Sequence, residues 1–144
     1  MEIAIIGAGK VAERNYLPAL LRHKDVSVTC YSRTAERSEE MGRKFGVRSA
    51  RTLDEVFERQ PDALLVLTRE QQRLQASQPL LAFKPRRIFF EKPLVAAAGQ
   101  AHVSEQDFWD GKALLEQAQA AGASRAWALP AARHAQRRPR WAPA

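Results

Sequence analysis

The sequence predicts an α/β fold in which helices cover both faces of a doubly wound parallel sheet. An apolar run at residues 3–6 ends at the glycine pair Gly7 and Gly9, and a helical pattern follows. Residues 63–67 and 88–90 are continuous apolar runs, as expected for strands that are buried on both faces. Because such strands alternate with helical patterns, parallel pairing through right-handed crossovers is favoured.

The first helix is predicted to contain a break. Pro18 lacks a backbone N–H and removes one helical hydrogen bond, so we expect a kink or a restart there. Residues 26–31 alternate with period two and are rich in β-branched side chains, which predicts the second strand. The apolar residues with helical spacing in the first helix are Val11, Leu17, Leu20 and Leu21.

Three later helices are predicted from signals at their ends. Thr34 as the N-cap and Gly46 as the stop define the first of them. The other two begin at residues with capping-box spacing, Thr52 with Glu55 and Ser104 with Asp107. The expected inward-facing residues are Ala35, Met41 and Phe45, then Leu53, Val56 and Phe57, then Phe108, Leu115 and Ala118.

The length of 144 residues and the distribution of charge predict one domain with a tail. The net charge is +7, but five basic residues and no acidic ones follow residue 124. The domain is therefore expected at residues 1–122, and residues 123–144, rich in alanine, arginine and proline, are expected to be irregular or disordered. Because the body of the chain is nearly neutral, nucleic-acid binding would depend on the tail alone.

The sequence predicts a cytoplasmic protein without a metal site or a membrane partner. Cys30 is the only cysteine, which excludes an internal disulfide and fits a reducing compartment. The histidines, His23, His102 and His134, are isolated from one another, so their spacing does not predict a metal site. Met1 runs straight into the first strand without the pattern of a secretory signal, and the apolar runs are too short to span a bilayer.

The glycine turn predicts dinucleotide binding. Gly7 permits the tight turn, and Gly9 lets the backbone approach a pyrophosphate. Ala12 is small enough for helix and strand to pack closely, and the helix N-terminus would point at the anion. A plain strand-to-helix turn is the alternative interpretation.

The residues after the second strand favour NADP(H), with NAD as the alternative cofactor. A carboxylate at this point usually accepts hydrogen bonds from the ribose hydroxyls, whereas this chain has Ser32 and Arg33. A hydroxyl beside a guanidinium suits a 2′-phosphate, and Arg37 lies one helical turn further on as a second contact. Alternatively, Arg33 is a solvated surface side chain or stacks on adenine without selecting the phosphate.

Glu91, Lys92 and Pro93 follow the 88–90 run, at the end of a strand where open α/β sheets bind ligands. Lys92 is the predicted catalytic residue, because a partly desolvated ammonium can polarise a carbonyl or hydroxyl oxygen during hydride transfer. Pro93 restricts the backbone that presents the lysine. Without this context the triplet would indicate an exposed turn.

Together, residues 3–12, 31–33, 63–68 and 91–93 resemble the N-terminal domain of the glucose-fructose oxidoreductase and inositol dehydrogenase family, Gfo/Idh/MocA. The likeness covers residues 1–122 and implies a Rossmann-type NAD(P)-binding domain. Members oxidise or reduce a carbon that bears a hydroxyl or carbonyl group, commonly on a sugar or cyclitol. The resemblance implies that the cofactor lies over Gly7, Gly9, Lys10, Val11 and Ala12, with Ser32 and Arg33 at the adenosine ribose, Thr68 near the middle, and Glu91 and Lys92 beside the nicotinamide.

The sequence also departs from the family pattern. Residues 69–73 contain no histidine, and Pro85 stands where a glycine usually precedes the strand. Family members continue into a second α/β domain that binds substrate, and residues from Ala123 onward do not have the pattern of the expected sixth strand. We therefore expect a truncated or frameshifted product that binds cofactor without turnover. The alternative is a non-catalytic dinucleotide-binding module that needs a partner chain; the substrate and a homo-oligomeric state are left open.

Overall fold

The computed structural model describes residues 1–128, in which six strands form one parallel sheet. The strands are β1 (Glu2–Ile6), β2 (Ser27–Tyr31), β3 (Arg48–Ala50), β4 (Ala63–Val66), β5 (Arg87–Phe90) and β6 (Arg125–Ala128). Their order across the sheet is β3-β2-β1-β4-β5-β6, and all neighbouring pairs are parallel. The predicted doubly wound α/β fold is confirmed.

Helices cover both faces of this sheet and create two hydrophobic cores. They are α1 (Leu17–Leu20), α2 (Ala35–Phe45), α3 (Leu53–Phe57), α4 (Arg73–Leu81) and α5 (Glu105–Ala120). Ile3 and Ile5 of β1 pack on the side of α1 and α2, whereas Ala4 and Ile6 pack on the side of α3, α4 and α5. Across residues 1–128, none of the helices is both long enough and apolar enough to cross a bilayer.

The first helix changes its form before Pro18, where a kink or a restart was expected. A π-helical segment, Ala12–Tyr16, is followed directly by α1, and Pro18 lies in the first turn of α1. The wider π turn changes which side chains face the sheet. Leu17 is therefore buried, while Val11 and Leu21, which the spacing assigned to the same face, are exposed.

Two edge strands were not predicted. β3 has the sequence Arg-Ser-Ala, which carries no strand signal, yet it pairs with the edge of β2. The expectation that residues from Ala123 onward do not form the sixth strand is wrong for Arg125–Ala128, which pair with β5. Backbone hydrogen bonds make both ladders, so pairing needs a free strand edge rather than a particular side-chain pattern. The rest of the predicted tail lies outside the described residues.

The helix starts and faces were predicted with mixed success. At α5 both arms of the capping box are present, because Asp107 accepts the Ser104 N–H and Ser104 accepts the Asp107 N–H. Asp107 also accepts the Ala97 N–H, and these backbone hydrogen bonds lower the pKa of its carboxyl. The predicted inward position of Phe108 is wrong: Phe108 is exposed, and Leu114 is buried instead. The buried face of α5 therefore differs from the predicted one, and it includes the capping residue Asp107.

The two threonine caps also differ. The Thr52 hydroxyl accepts the Glu55 N–H at 3.2 Å, as the capping motif predicts. The Glu55 carboxylate accepts the N–H of Arg51 rather than that of Thr52. Thr34 precedes α2 at the N-cap position without a side-chain hydrogen bond to the helix, and Gly46 ends α2 in the left-handed conformation.

Candidate cofactor-binding site

A cleft of about 900 Å³ opens at the carboxyl ends of β1, β2, β4 and β5. In a parallel sheet these ends lie along one edge. The strand order reverses between β1 and β4, and such a switch point is where open α/β sheets bind ligands. Of the predicted site residues, the cleft is bordered by Gly7, Gly9, Lys10, Val11, Ser32, Arg33, Arg37, Thr68, Glu91 and Lys92.

Gly7 is required by the fold itself. Its φ is +105°, and its N–H donates to the Tyr31 carbonyl at 2.9 Å. A Cβ at this position would lie 2.7 Å from the Thr68 backbone nitrogen. Gly7 therefore joins the ends of β1, β2 and β4 so closely that only glycine fits.

Gly9 differs, because a Cβ built on it meets nothing within 4 Å. Packing within the described residues thus gives no reason for a glycine here, and the open side belongs to the cleft. Ala12, which was also predicted to contact cofactor, is fully buried among core side chains and does not border the cleft. Its small size serves the close packing of helix on strand.

Two arginines stand at the β2 end of the cleft. Arg33 and Arg37 border the cleft with exposed side chains, next to Ser32. Neither guanidinium has a hydrogen bond or an ion pair with another of the residues the structure describes. Both are therefore available to an anion, and a guanidinium can donate two hydrogen bonds to one phosphate.

The β5 end is held by a network that includes Tyr16, which sequence reasoning did not identify. The Tyr16 hydroxyl donates to Glu91 Oε2 at 2.7 Å, and the Lys92 N–H donates to Glu91 Oε1 at 2.9 Å. Burial, together with the Glu91 carboxylate, raises the pKa of Tyr16. The Lys92 side chain is exposed, so the partial desolvation predicted for its ammonium is absent from this structure, and the Lys92–Pro93 peptide bond is cis.

Arg73, the second residue that sequence reasoning missed, lies at the start of α4 and is 1% exposed. Its guanidinium donates to four carbonyl oxygens, those of Thr68, Glu91, Pro93 and Leu94. Burial lowers its pKa, and the charges of Glu70 and Glu91 oppose that shift. An arginine in a polar stretch of sequence carries no signal of burial, so only the contacts identify this role.

The charge of the cleft suits an anionic ligand. Basic side chains outnumber acidic ones along its border: Lys10, Arg33, Arg37, Arg69, Arg73 and Lys92 against Glu70 and Glu91. The Thr68 hydroxyl oxygen is buried at the same border and has no hydrogen-bond partner among residues 1–128. Glycine turn, strand order and charge together define a dinucleotide-binding domain with the Rossmann fold.

The family follows from a direct match. The model of the Gfo/Idh/MocA family, described as "Oxidoreductase family, NAD-binding Rossmann fold", matches residues 1–107. The chain belongs to this family, and the described residues form its NAD(P)-binding domain. No curated protein matches the sequence closely enough to count as a relative.

Solved structures agree on the fold. A Gfo/Idh/MocA family oxidoreductase from Vibrio cholerae has a TM-score of 0.70 at 20% identity, covering 90% of this chain and 38% of its own. KijD10, a 3-ketoreductase from Actinomadura kijaniata crystallised with NADP and TDP-benzene, has a TM-score of 0.67 at 22% identity, covering 85% and 35%. The WlbA dehydrogenase from Bordetella pertussis, crystallised with NADH and UDP-GlcNAcA, has a TM-score of 0.69 at 17% identity, covering 90% and 34%. The chain thus spans little more than a third of these proteins.

Proposed function

We propose that this chain binds NADP(H) in the cleft, with the diphosphate over the glycine turn. The observation that carries the proposal is the open space at Gly9. A glycine that its own fold does not require is explained when a ligand needs the room, as a diphosphate does at such a turn.

The phosphorylated cofactor is favoured by the β2 end. Ser32 and Arg33 would meet the adenosine 2′-phosphate, with Arg37 as a second contact. A hydrogen bond to a charged group contributes about 1.5–3 kcal/mol, which corresponds to about ten- to a hundred-fold in affinity. The exposed, unpaired state of both guanidiniums among the described residues supports this selection rather than a role in folding.

We further propose that the enzyme to which this domain belongs transfers a hydride, with Lys92 as a catalytic residue. NADP(H), when bound, supplies or accepts the hydride. The β2 and β5 ends are three strand spacings apart, about 14 Å, so a dinucleotide held at Arg33 can extend to Lys92. There the ammonium would polarise the hydroxyl or carbonyl oxygen of the substrate.

The proposed substrate class is a sugar or cyclitol. This part of the proposal is supported by two of the similar structures, a 3-ketoreductase in complex with TDP-benzene and a dehydrogenase in complex with UDP-GlcNAcA. We also propose a cytoplasmic location, because the buried free thiol of Cys30 suits a reducing compartment. Cofactor binding is the part of this proposal that can be measured directly on this chain.

The test is a fluorescence titration of the full chain with NADPH and with NADH. We expect tighter binding of NADPH, and a loss of about a hundredfold or more in Gly9→Val, because the branched side chain blocks several charge-assisted contacts to the diphosphate. Thermal unfolding of Gly9→Val should match that of the wild-type protein, since its Cβ enters open space.

Three results would overturn the proposal in different parts. If the folded protein binds neither cofactor, the proposed function is wrong. If Gly9→Val binds NADPH as tightly as wild type, the diphosphate does not lie over this turn. If NADH binds as tightly as NADPH or more tightly, Arg33 does not select the 2′-phosphate.

A further inference from the structure

We propose that Arg73 is a positioning residue that holds the backbone around Lys92 in place for the nicotinamide end of the cofactor. The expected effect on binding rests on the proposed function, but the hydrogen bonds from Arg73 to the backbone around Lys92 are present in the free protein. Arg73 lies at the cleft border but is 1% exposed, and its own role would be indirect: it touches the segment that carries Lys92.

The contacts of Arg73 surround Lys92 along the chain. One terminal nitrogen, Nη1, donates to the carbonyl oxygens of Glu91 and Pro93, the residues immediately before and after Lys92. The Leu94 carbonyl oxygen lies 3.2 Å from the same nitrogen and must share one of its two N–H groups with another carbonyl. The backbone on both sides of Lys92 is therefore attached to a single buried cation.

The other terminal nitrogen reaches the second strand end of the cleft. Nη2 donates to the carbonyl oxygen of Thr68, which follows β4. Arg73 therefore joins the segment after β4 to the segment after β5, and both segments border the cleft. A side chain with a purely packing role would meet apolar core side chains, whereas this guanidinium ends on backbone oxygens of the site.

The type of residue suits this role. A guanidinium is planar and carries five donors in a fixed fork, so one side chain can hold several carbonyls in a set geometry, which a lysine ammonium does less well. Burying a cation is costly unless its hydrogen bonds are made. Here the two terminal nitrogens contact four carbonyl oxygens, and the charges of Glu70 and Glu91 favour the cation, while Nε has no hydrogen-bond partner among residues 1–128.

Tyr16 acts on the same segment from the other side. It donates to the Glu91 carboxylate at 2.7 Å, while Arg73 holds the Glu91 carbonyl. The side chain and the main chain of Glu91 are thus attached separately. Loss of Arg73 alone should release the main chain around Lys92 while the carboxylate keeps its tyrosine partner.

The experiment compares Arg73→Met and Arg73→Lys with Arg59→Met, a control in which an exposed arginine outside the cleft is changed in the same way. The first readout is amide hydrogen exchange of the ligand-free full chain. We expect exchange at the amides of Glu91 and Ala96, which donate to the Val66 and Glu70 carbonyls, to rise about tenfold or more in Arg73→Met, with β1 unchanged. Arg73→Lys should recover part of the protection, and the control should match the wild-type protein.

The second readout separates the two ends of the cofactor. 2′-Phospho-ADP-ribose has the diphosphate and the 2′-phosphate but lacks nicotinamide. Arg73→Met should weaken NADPH binding about tenfold, by the loss of one preorganised contact region. Its affinity for 2′-phospho-ADP-ribose should stay within about twofold of wild type, since the contacts at Gly9 and Arg33 are intact.

Unchanged exchange at the Glu91 and Ala96 amides in both variants would overturn the inference. An equal loss for NADPH and 2′-phospho-ADP-ribose would also overturn it, because that result indicates general structural damage. If Arg73→Met does not fold, Arg73→Lys decides by the same two readouts. Should the wild-type protein bind no dinucleotide, the proposed function fails, and the exchange measurement still determines whether Arg73 holds this segment.

Discussion

The two ends of the cleft are built differently. At the β2 end, Arg33 and Arg37 are exposed, and their guanidiniums have no partners among the described residues. At the β5 end, Glu91 is held by Tyr16, and the backbone beside Lys92 is held by the buried Arg73. One end consists of side chains that the fold does not use, and the other of groups that also connect parts of the fold.

Because of this difference, the β2 end should contribute to ligand affinity and the β5 end to the stability of the fold as well. Free arginines lose side-chain entropy only when a ligand binds, so their removal changes binding and leaves folding alone. Groups that are already ordered contribute to the folded state whether or not ligand is present. Substitutions at the β2 end should therefore change ligand binding alone, whereas those behind the β5 end should change stability as well.

The largest expected effect on stability is that of Arg73→Met. Removing the guanidinium leaves four carbonyl oxygens without their donor, which we expect to lower the free energy of unfolding by about 2–3 kcal/mol. Urea unfolding at neutral pH measures this, with Arg59→Met as the control. A loss below about 0.5 kcal/mol, the range of ordinary surface changes, would show that the two ends of the cleft do not differ as described.

Arg33→Ala tests the β2 end of the cleft. We expect NADPH affinity to fall about ten- to a hundred-fold, with NADH affinity and urea unfolding unchanged. Arg43→Ala, an exposed arginine of α2 away from the cleft, is the matched control. Loss of NADH binding to the same degree would assign Arg33 to adenine or to the fold rather than to the 2′-phosphate.

Tyr16→Phe should have a smaller effect, about 1 kcal/mol of unfolding free energy, because it removes one partly buried hydrogen bond to Glu91. The pKa of Tyr16 is raised in the folded state, so this contribution is complete below the unfolded pKa, near 10, and is lost as the pH rises through the folded value. The difference between Tyr16→Phe and wild type should thus shrink in alkaline solution. A constant difference up to high pH would contradict the role of the phenol proton.

The smallest expected change in stability is that of Lys92→Ala. Lys92 is the exposed member of the β5 end, and its ammonium makes no hydrogen bond or ion pair within residues 1–128. We expect its unfolding free energy to stay within about 0.5 kcal/mol of wild type. A larger loss in urea unfolding would mean that the ammonium stabilises the fold. Lys92 would then resemble Tyr16 and Arg73 in contributing to stability, and the whole β5 end would differ from the β2 end.

Sequence reasoning was accurate where a local pattern has a local cause. The glycine turn, the buried strands, the change of helix form at Pro18, the Thr52 N-cap and the Ser104 capping box each depend on residues a few positions apart. It was inaccurate at β3 and β6, where pairing depends on a neighbouring strand edge. The contacts of Tyr16 and Arg73 with the Glu91 segment were missed because they join residues far apart in sequence.

The sequence by itself determined the class of this domain and the chemistry available at its site, because the glycine turn and the charged strand ends are encoded by adjacent residues. Only the tertiary structure decided how those groups are held. A polar side chain such as Arg73 has no pattern that distinguishes burial from exposure. Its role follows from which carbonyls the folded chain brings within its reach, and that depends on the packing of α4 against the ends of β4 and β5.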